Sequence, residues 1–179
     1  ALALDAFGVE YIELTSPIAS PQSAADLRTI AALPLRRARV LTHTRCLLAD
    51  VEAALDCGVA GVNVLFGTSD LLRTHSHGRS FDAMLVEARA VIGRVRDAGR
   101  EVRFSCEDAF RTPLPELLRL YQAVDVLGVE RAGTADTVGI ATPHDVERIL
   151  PGVRRAVPSD MEFHGPTDQG SENADSVTV

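Results

Sequence analysis

Histidine, arginine, acidic and hydroxyl residues are grouped at four places in the sequence, each at the end of a short apolar segment. These groups lie at residues 42–46, 103–108, 134–139 and 162–164. Side chains of these types bind carboxylates, coordinate metals and transfer protons. Polar groups that recur at the carboxyl ends of successive strands are what a (β/α) barrel needs to build one active site from many loops.

Six short segments rich in Val, Ile, Leu and Phe must position these groups, and each reads as a β-strand. The predicted strands are residues 10–14, 38–43, 61–66, 101–106, 128–134 and 160–164. Strands that alternate with helices of ten or more residues predict parallel βαβ topology. A barrel and an open doubly wound sheet both fit this pattern. No GxGxxG or GxxxxGK[ST] motif follows a strand, which counts against a nucleotide-binding open sheet.

The helices between the strands have recognisable faces and starts. The clearest covers residues 81–98, where apolar residues fall at three- and four-residue steps. Thr112-Pro113 and Thr142-Pro143 each predict a helix start, because a cap residue is followed by a first-turn proline. Pro151 is expected to interrupt the helix after Thr142, since an interior proline costs about 3 kcal/mol or more.

The length predicts one domain and an incomplete barrel. The chain has 179 residues, of which 46% are hydrophobic, enough to bury one sizeable core. An eight-unit barrel takes roughly 250 residues, so there is room for about six βα units. Residues 1–7 read as the end of a helix closed by Gly8, and residues 165–179 as a polar tail. We therefore expect an incomplete catalytic domain over residues 1–164.

Charge and composition exclude several classes of partner. The formal net charge of −7 argues against nucleic acid, because phosphate contacts need a basic face. No stretch approaches 18 apolar residues and no signal peptide precedes the first strand, so we expect a cytoplasmic protein with no membrane partner. Cys46, Cys57 and Cys106 lack CxxC spacing, which favours reduced thiols over a zinc site or disulfides.

Seven motifs along the sequence resemble those of a known family. The motifs are residues 10–17, 41–46, 66–69, 75–78, 101–108, 135–143 and 162–165. In this order they resemble homocitrate synthase, in the metallolyase group of TIM barrels that also holds isopropylmalate and citramalate synthases. The resemblance implies strands 2 to 7 of a TIM barrel. It also implies a Claisen-type condensation of acetyl-CoA with 2-oxoglutarate on a divalent metal (Mg²⁺, Mn²⁺ or Zn²⁺), and a homo-oligomer.

The resemblance also assigns roles to residues. His43 would contact the side chain of 2-oxoglutarate, Arg103 its carboxylate, and Thr137 the carboxylate at the metal end. Ser105 and Glu107 would line the acetyl-CoA side, with Glu107 catalytic. His164 would be a metal ligand. We expect His43, Asn63, Arg103, Thr137 and His164 to converge at one end of the sheet.

Each role has a structural alternative. A histidine at a strand end is more often structural than a ligand. Arg103 and Glu107 could simply pair with each other, and Thr137 could hydrogen-bond the backbone. His75 and His77 lack the further ligands of a tetrahedral metal site, so a surface loop is favoured there.

The departures from the family matter equally. Its first-strand Asp-x-x-x-Arg-Glu segment, which supplies a metal carboxylate and a catalytic arginine, is missing here. The second metal histidine falls on Pro166 and the following asparagine on Thr167. Asn63 stands where close relatives carry Asp.

Three hypotheses follow from these matches and departures. The chain is an incomplete homocitrate synthase or isopropylmalate/citramalate synthase-type acyltransferase, inactive alone. Alternatively it is a non-catalytic binder of 2-oxo acids or an inactive partner subunit. The third possibility is a degenerate product with no stable site.

Overall fold

The computed structural model describes residues 1–78 and 80–165, in which strands alternate with helices. The strands are β1 (Tyr11–Leu14), β2 (Arg39–Arg45), β3 (Gly61–Gly67), β4 (Glu101–Glu107), β5 (Arg131–Ala135) and β6 (Asp160–His164). The helices are α1 (Leu2–Phe7), α2 (Pro21–Ala31), α3 (Leu48–Leu55), α4 (Asp70–Leu72), α5 (Phe81–Asp97), α6 (Leu114–Asp125) and α7 (Pro143–Ala156). A π-helical turn follows α4 at Arg73–His77, and a 3₁₀ turn follows β4 at Ala109–Arg111.

The strands form one sheet in chain order, from β1 to β6. β1 pairs with β2, β2 with β3 and β5 with β6, in each case in parallel. The described strands show no reversal of order of the kind that defines a doubly wound sheet. The predicted fold class, a partial TIM barrel of six βα units, is confirmed.

The chain divides into two compact units. The first contains Ala1–Leu65 and Ala90–Arg103, and the second contains Phe66–Arg89 and the described residues from Phe104 onward. The expected division into a catalytic domain (residues 1–164) and a polar tail (residues 165–179) stays a prediction, because residues 166–179 lie outside the described part of the chain.

The predicted helices are confirmed within one or two residues. The buried face of α5 consists of Met84, Ala88, Val91, Ile92 and Val95. α6 begins directly after Pro113. α7 has Thr142 as its N-cap, and a reciprocal pair of hydrogen bonds with Asp145 forms a capping box.

The expectation that Pro151 interrupts α7 is wrong, because the helix continues through it to Ala156. The proline removes one N–H donor, at a cost of about 3 kcal/mol. Each buried aliphatic side chain stabilises the folded protein by about 1.5–3 kcal/mol. The buried residues of α7 are Val146, Ile149, Leu150 and Val153. Their combined burial outweighs the missing hydrogen bond.

All three cysteines are buried and carry thiols rather than disulfides. Burial raises the pKa of Cys106 to about 12, so this thiol stays protonated at neutral pH. No helix in residues 1–78 and 80–165 is both long and apolar enough to cross a membrane.

α1 ends as expected, at Gly8 with a left-handed φ of 103°. An ordinary amphipathic helix buries its apolar side chains and exposes its charged ones. In α1 the apolar Phe7 is 86% exposed, while the charged Asp5 is buried. The Asp5 carboxylate accepts hydrogen bonds from the backbone N–H groups of Arg36, Arg37 and Ala38 at 2.8–3.2 Å. These bonds, that of Ala38 foremost, lower the pKa of Asp5. The carboxylate thereby holds the segment that leads into β2.

We predict that Asp5→Ala lowers the free energy of unfolding at pH 7, because it leaves three backbone donors without their acceptor. A carboxyl whose pKa is lowered by folding stabilises the protein above its ordinary pKa, and that contribution is lost as pH falls through the lowered value. Urea titrations of both proteins should therefore differ at pH 7 and converge in strong acid. A difference independent of pH would contradict this role for the Asp5 charge.

Candidate functional site

Three neighbouring strands of the first unit place polar side chains around one carboxylate, that of Glu13 on β1. His43 on β2 lies opposite Asn63 on β3 in the strand register. His43 Nδ1 is 3.3 Å from Glu13 Oε1. Asn63 Nδ2 donates to both carboxylate oxygens of Glu13, at 3.4 and 3.3 Å. The imidazole and the amide are thus both oriented by the same acidic residue.

The charge state of Glu13 follows from its surroundings. Burial raises the pKa of Glu13, but hydrogen bonds from His43 and Asn63, together with the charges of His43 and Arg103, outweigh burial and hold this pKa below its ordinary value. Glu13 is therefore a carboxylate at neutral pH. A carboxylate that accepts from Nδ1 fixes the orientation of an imidazole and directs its Nε2 elsewhere.

Arg103 on β4 is buried, with 3% of its surface exposed. Its guanidinium carbon lies 4.0 Å from the centroid of the Tyr11 ring, and its Nε is 3.4 Å from Glu101 Oε1. The structure therefore gives Arg103 an acidic partner on its own strand. The alternative that Arg103 pairs with Glu107 stays a prediction.

In the second unit, the side chain of Ser105 on β4 has room because residue 133 on β5 is a glycine. A Cβ atom added to Gly133 would lie 2.1 Å from Ser105 Oγ and 2.9 Å from its Cβ. The Gly133 carbonyl accepts a hydrogen bond of 2.6 Å from the buried hydroxyl of Tyr121, which also contacts Thr134 Oγ1 at 2.8 Å. Gly133 thus leaves room for the serine, and α6 fixes the backbone that provides this room.

Thr137 lies in a loop that its neighbour Asp136 folds. The Asp136 carboxylate accepts the backbone N–H groups of Ile140 at 3.2 Å and Ala141 at 2.8 Å. Thr137 Oγ1 accepts the backbone N–H of Asp108 at 2.8 Å. The expected structural alternative for Thr137 is therefore present, although the hydroxyl can still donate its own hydrogen to a ligand.

Asp108 follows Glu107, the last residue of β4, and has a left-handed φ of 58°. Its carboxylate makes two bonds of 2.6 Å with Arg111 and also accepts from the Ser69 hydroxyl. The Glu107 carbonyl accepts from the backbone N–H of Thr68 at 3.1 Å and from its hydroxyl at 3.0 Å. These contacts fix the backbone at the end of β4, where Glu107 is half-buried.

His164 is the last residue of β6 and is exposed. Its carbonyl accepts the Asp136 N–H at 2.9 Å. Among the described residues, no group of three or more His, Cys, Asp and Glu side chains could hold a metal ion. The described residues by themselves therefore do not fit the divalent metal that the resemblance implies. Pro166 and Thr167, at the family's metal His and Asn positions, lie outside the described residues.

Of the predicted site residues, His43 contacts Glu13, as does Asn63, and the charge of Arg103 acts on the same carboxylate. Ser105, Glu107, Thr137 and His164 belong to the second unit. Convergence of His43, Asn63, Arg103, Thr137 and His164 at one end of the sheet stays a prediction. Sequence reasoning assigned no role to Glu13. The available signal was an acidic residue inside an otherwise apolar strand segment, two positions after Tyr11 and on the same face.

Comparison with known proteins agrees with the resemblance seen in the motifs. The chain is 49% identical over 170 residues to the mitochondrial homocitrate synthase of Schizosaccharomyces pombe, covering 95% of this chain and 40% of that protein. It is 46% identical over 179 residues to the cytosolic homocitrate synthase isozyme of Saccharomyces cerevisiae, covering 100% and 42%. The 2-isopropylmalate synthase of Edwardsiella ictaluri is 34% identical over 190 residues, covering 100% and 35%. The chain thus spans about two fifths of the homocitrate synthases it matches.

Solved structures share the fold. A crystal structure of HMG-CoA lyase from Bacillus subtilis superposes with a TM-score of 0.84 at 22% identity, covering 99% of this chain and 63% of that one. The HMGL-like family model matches residues 1–178. This match and the homocitrate synthase relatives confirm the resemblance inferred from the motifs, and the chain belongs to the HMGL-like family.

Proposed function

We propose that this chain is part of a homocitrate synthase-type acyltransferase and contributes the pocket for the 2-oxo acid. The observation that supports this is the contact of His43 and Asn63 with the ionised Glu13, together with the buried Arg103, whose charge also acts on Glu13. A buried guanidinium is a strong partner for a carboxylate. An imidazole oriented through Nδ1 offers its other nitrogen to a second polar group of the same ligand.

The proposed reaction joins the methyl carbon of acetyl-CoA to C2 of 2-oxoglutarate, as in lysine biosynthesis. The methyl group loses a proton to a base, the 2-oxo oxygen becomes an alkoxide that gains a proton, and water releases CoA from the thioester. We assign Arg103 to a substrate carboxylate and His43 to the substrate side chain. Thr137 is assigned to the second carboxylate. Ser105 and Glu107 are assigned to the acetyl-CoA side, with Glu107 as the catalytic carboxylate.

A binder of 2-oxo acids without catalysis is the second candidate, and the metal-ligand set favours it for this chain alone. Condensation needs the 2-oxo carbonyl polarised and the alkoxide stabilised. His164 is the one proposed metal ligand within the described residues, and a single imidazole does not hold Mg²⁺, Mn²⁺ or Zn²⁺ usefully. The cluster around Glu13, in contrast, does not depend on a metal.

We predict that the chain binds 2-oxoglutarate weakly and that Arg103→Ala abolishes this binding in isothermal titration calorimetry. The variant loses the cation that compensates a buried carboxylate. Arg103→Lys should also bind more weakly, because an ammonium keeps the charge but not the planar fork.

Arg94→Ala is the matched control for charge. Arg94 pairs with Glu52 through Nε–Oε1 and Nη2–Oε2 contacts of 2.6 and 2.8 Å on the helices of the same unit, and we expect its loss to leave the affinity unchanged. A branched 2-oxo monocarboxylic acid should bind less well than 2-oxoglutarate, because it lacks the second carboxylate. Equal affinity of the parent and Arg103→Ala proteins would reject the assignment.

We predict that the 179-residue protein releases no CoA above background from acetyl-CoA and 2-oxoglutarate with Mg²⁺, Mn²⁺ or Zn²⁺. Pro166→His alone should not restore activity, because the metal carboxylate and arginine of the family's Asp-x-x-x-Arg-Glu segment are still missing. A thiol-release assay measures both proteins. Metal-dependent turnover by the unmodified chain would show that the catalytic groups are misassigned.

A further inference from the structure

The buried guanidinium of Arg103 lies against an aromatic ring and beside the carboxylate of Glu101, all in the first unit. Tyr11 on β1 presents its ring at 4.0 Å from the guanidinium carbon. Glu101 Oε1 is 3.4 Å from Arg103 Nε, and the charge of Arg103 also reaches Glu13 and lowers its pKa. A guanidinium over an aromatic face is attracted by the ring quadrupole, and more strongly when water is excluded.

Glu101 is itself buried, with 6% of its surface exposed, so its charge must be compensated. Arg39 Nη1 lies 2.7 Å from Glu101 Oε2, so this carboxylate has an arginine at each oxygen. Glu101 and Arg103 are two residues apart on β4, and alternation places them on one face.

A neighbouring glycine makes room for Glu101. A Cβ atom added to Gly61 would lie 2.8 Å from the Cβ of Glu101 and 2.7 Å from its carbonyl oxygen. Any larger residue at position 61 would therefore displace the strand that carries both Glu101 and Arg103. The space that Glu101 occupies is thus a feature of the sheet and does not depend on a ligand.

From these contacts we infer that Tyr11 and Glu101 are positioning residues, which hold the Arg103 guanidinium in its binding orientation before a carboxylate ligand arrives. This inference rests on the proposed function, in which Arg103 binds the 2-oxo acid. A long arginine side chain loses rotamer freedom when it binds, so fixing it in advance raises affinity. Glu101 fixes the Nε edge of the guanidinium, and Tyr11 fixes its face.

The test compares Tyr11→Leu with Tyr11→Phe, which keeps the ring and serves as the matched control. Calorimetry with 2-oxoglutarate should show affinity reduced about 5- to 30-fold in Tyr11→Leu and within about 2-fold of the parent in Tyr11→Phe. Glu101→Gln should also weaken binding, because the amide keeps the shape but not the charge. Thermal unfolding of each variant checks that the fold is intact, and Tyr11→Phe with Glu101→Gln still test the inference if Tyr11→Leu does not fold.

A second readout does not need the ligand. In protein labelled with ¹⁵N-arginine, the Arg103 Nε–Hε resonance is identified by its loss in Arg103→Lys. The Tyr11 ring current should shift this resonance in the parent and in Tyr11→Phe, and the shift should disappear in Tyr11→Leu. An unchanged resonance together with unchanged affinity in Tyr11→Leu would overturn the inference. If the parent binds no 2-oxoglutarate, the proposed function fails, while the resonance still decides whether the Tyr11 ring holds the guanidinium of Arg103.

Discussion

The first unit depends on compensating the charge of Arg103 inside the sheet. An arginine does not deprotonate in a protein, so its burial requires acidic partners. Glu101 supplies one on the same strand, and Arg39 in turn balances Glu101. Glu13 feels the charge of Arg103 from β1 and stays ionised. Removing Glu101 takes away an acidic side chain that the structure shows in contact with the Arg103 guanidinium.

The polar residues of the second unit are positioned by a different type of interaction, in which carboxylates accept hydrogen bonds from backbone N–H groups and hydroxyls. Asp136 folds the loop that carries Thr137, and Asp108 holds the turn after β4 through Ser69 and Arg111. These acidic residues act on backbone and side-chain donors nearby, and their role is to shape loops. Their presence beside the assigned substrate-binding residues explains why acidic residues are dense here although no metal-binding group is found in the described chain.

The family assignment and the departures from it point to different parts of one reaction. The residues assigned to the 2-oxo acid are present, and the charge of Arg103 is compensated by Glu101. Of the proposed metal ligands, the described residues contain His164, which is exposed. A protein can keep a substrate pocket after losing the groups that activate the substrate, because binding and activation rest on different residues. The relatives are more than twice as long as the matched region.

The sequence by itself determined the order and type of the elements. Short apolar segments, period-3.6 patterns, Thr-Pro helix starts and Gly8 all act over a few residues, and the structure places the six strands and the main helices where these patterns predict them. The motifs also determined the family, and the resemblance assigned His43 and Arg103 to the substrate. Local signals suffice for these features because each depends on neighbours along the chain.

Only the tertiary structure decided which groups touch. It showed that α7 tolerates Pro151, because burial of the helix's apolar face outweighs one lost hydrogen bond, an exchange that local propensity does not include. It gave Glu13 its role through side chains 30 and 50 residues away, and it placed Tyr11 on the guanidinium of Arg103. Contacts between strands far apart in the chain depend on register and side-chain direction, and these are set only when the whole sheet forms.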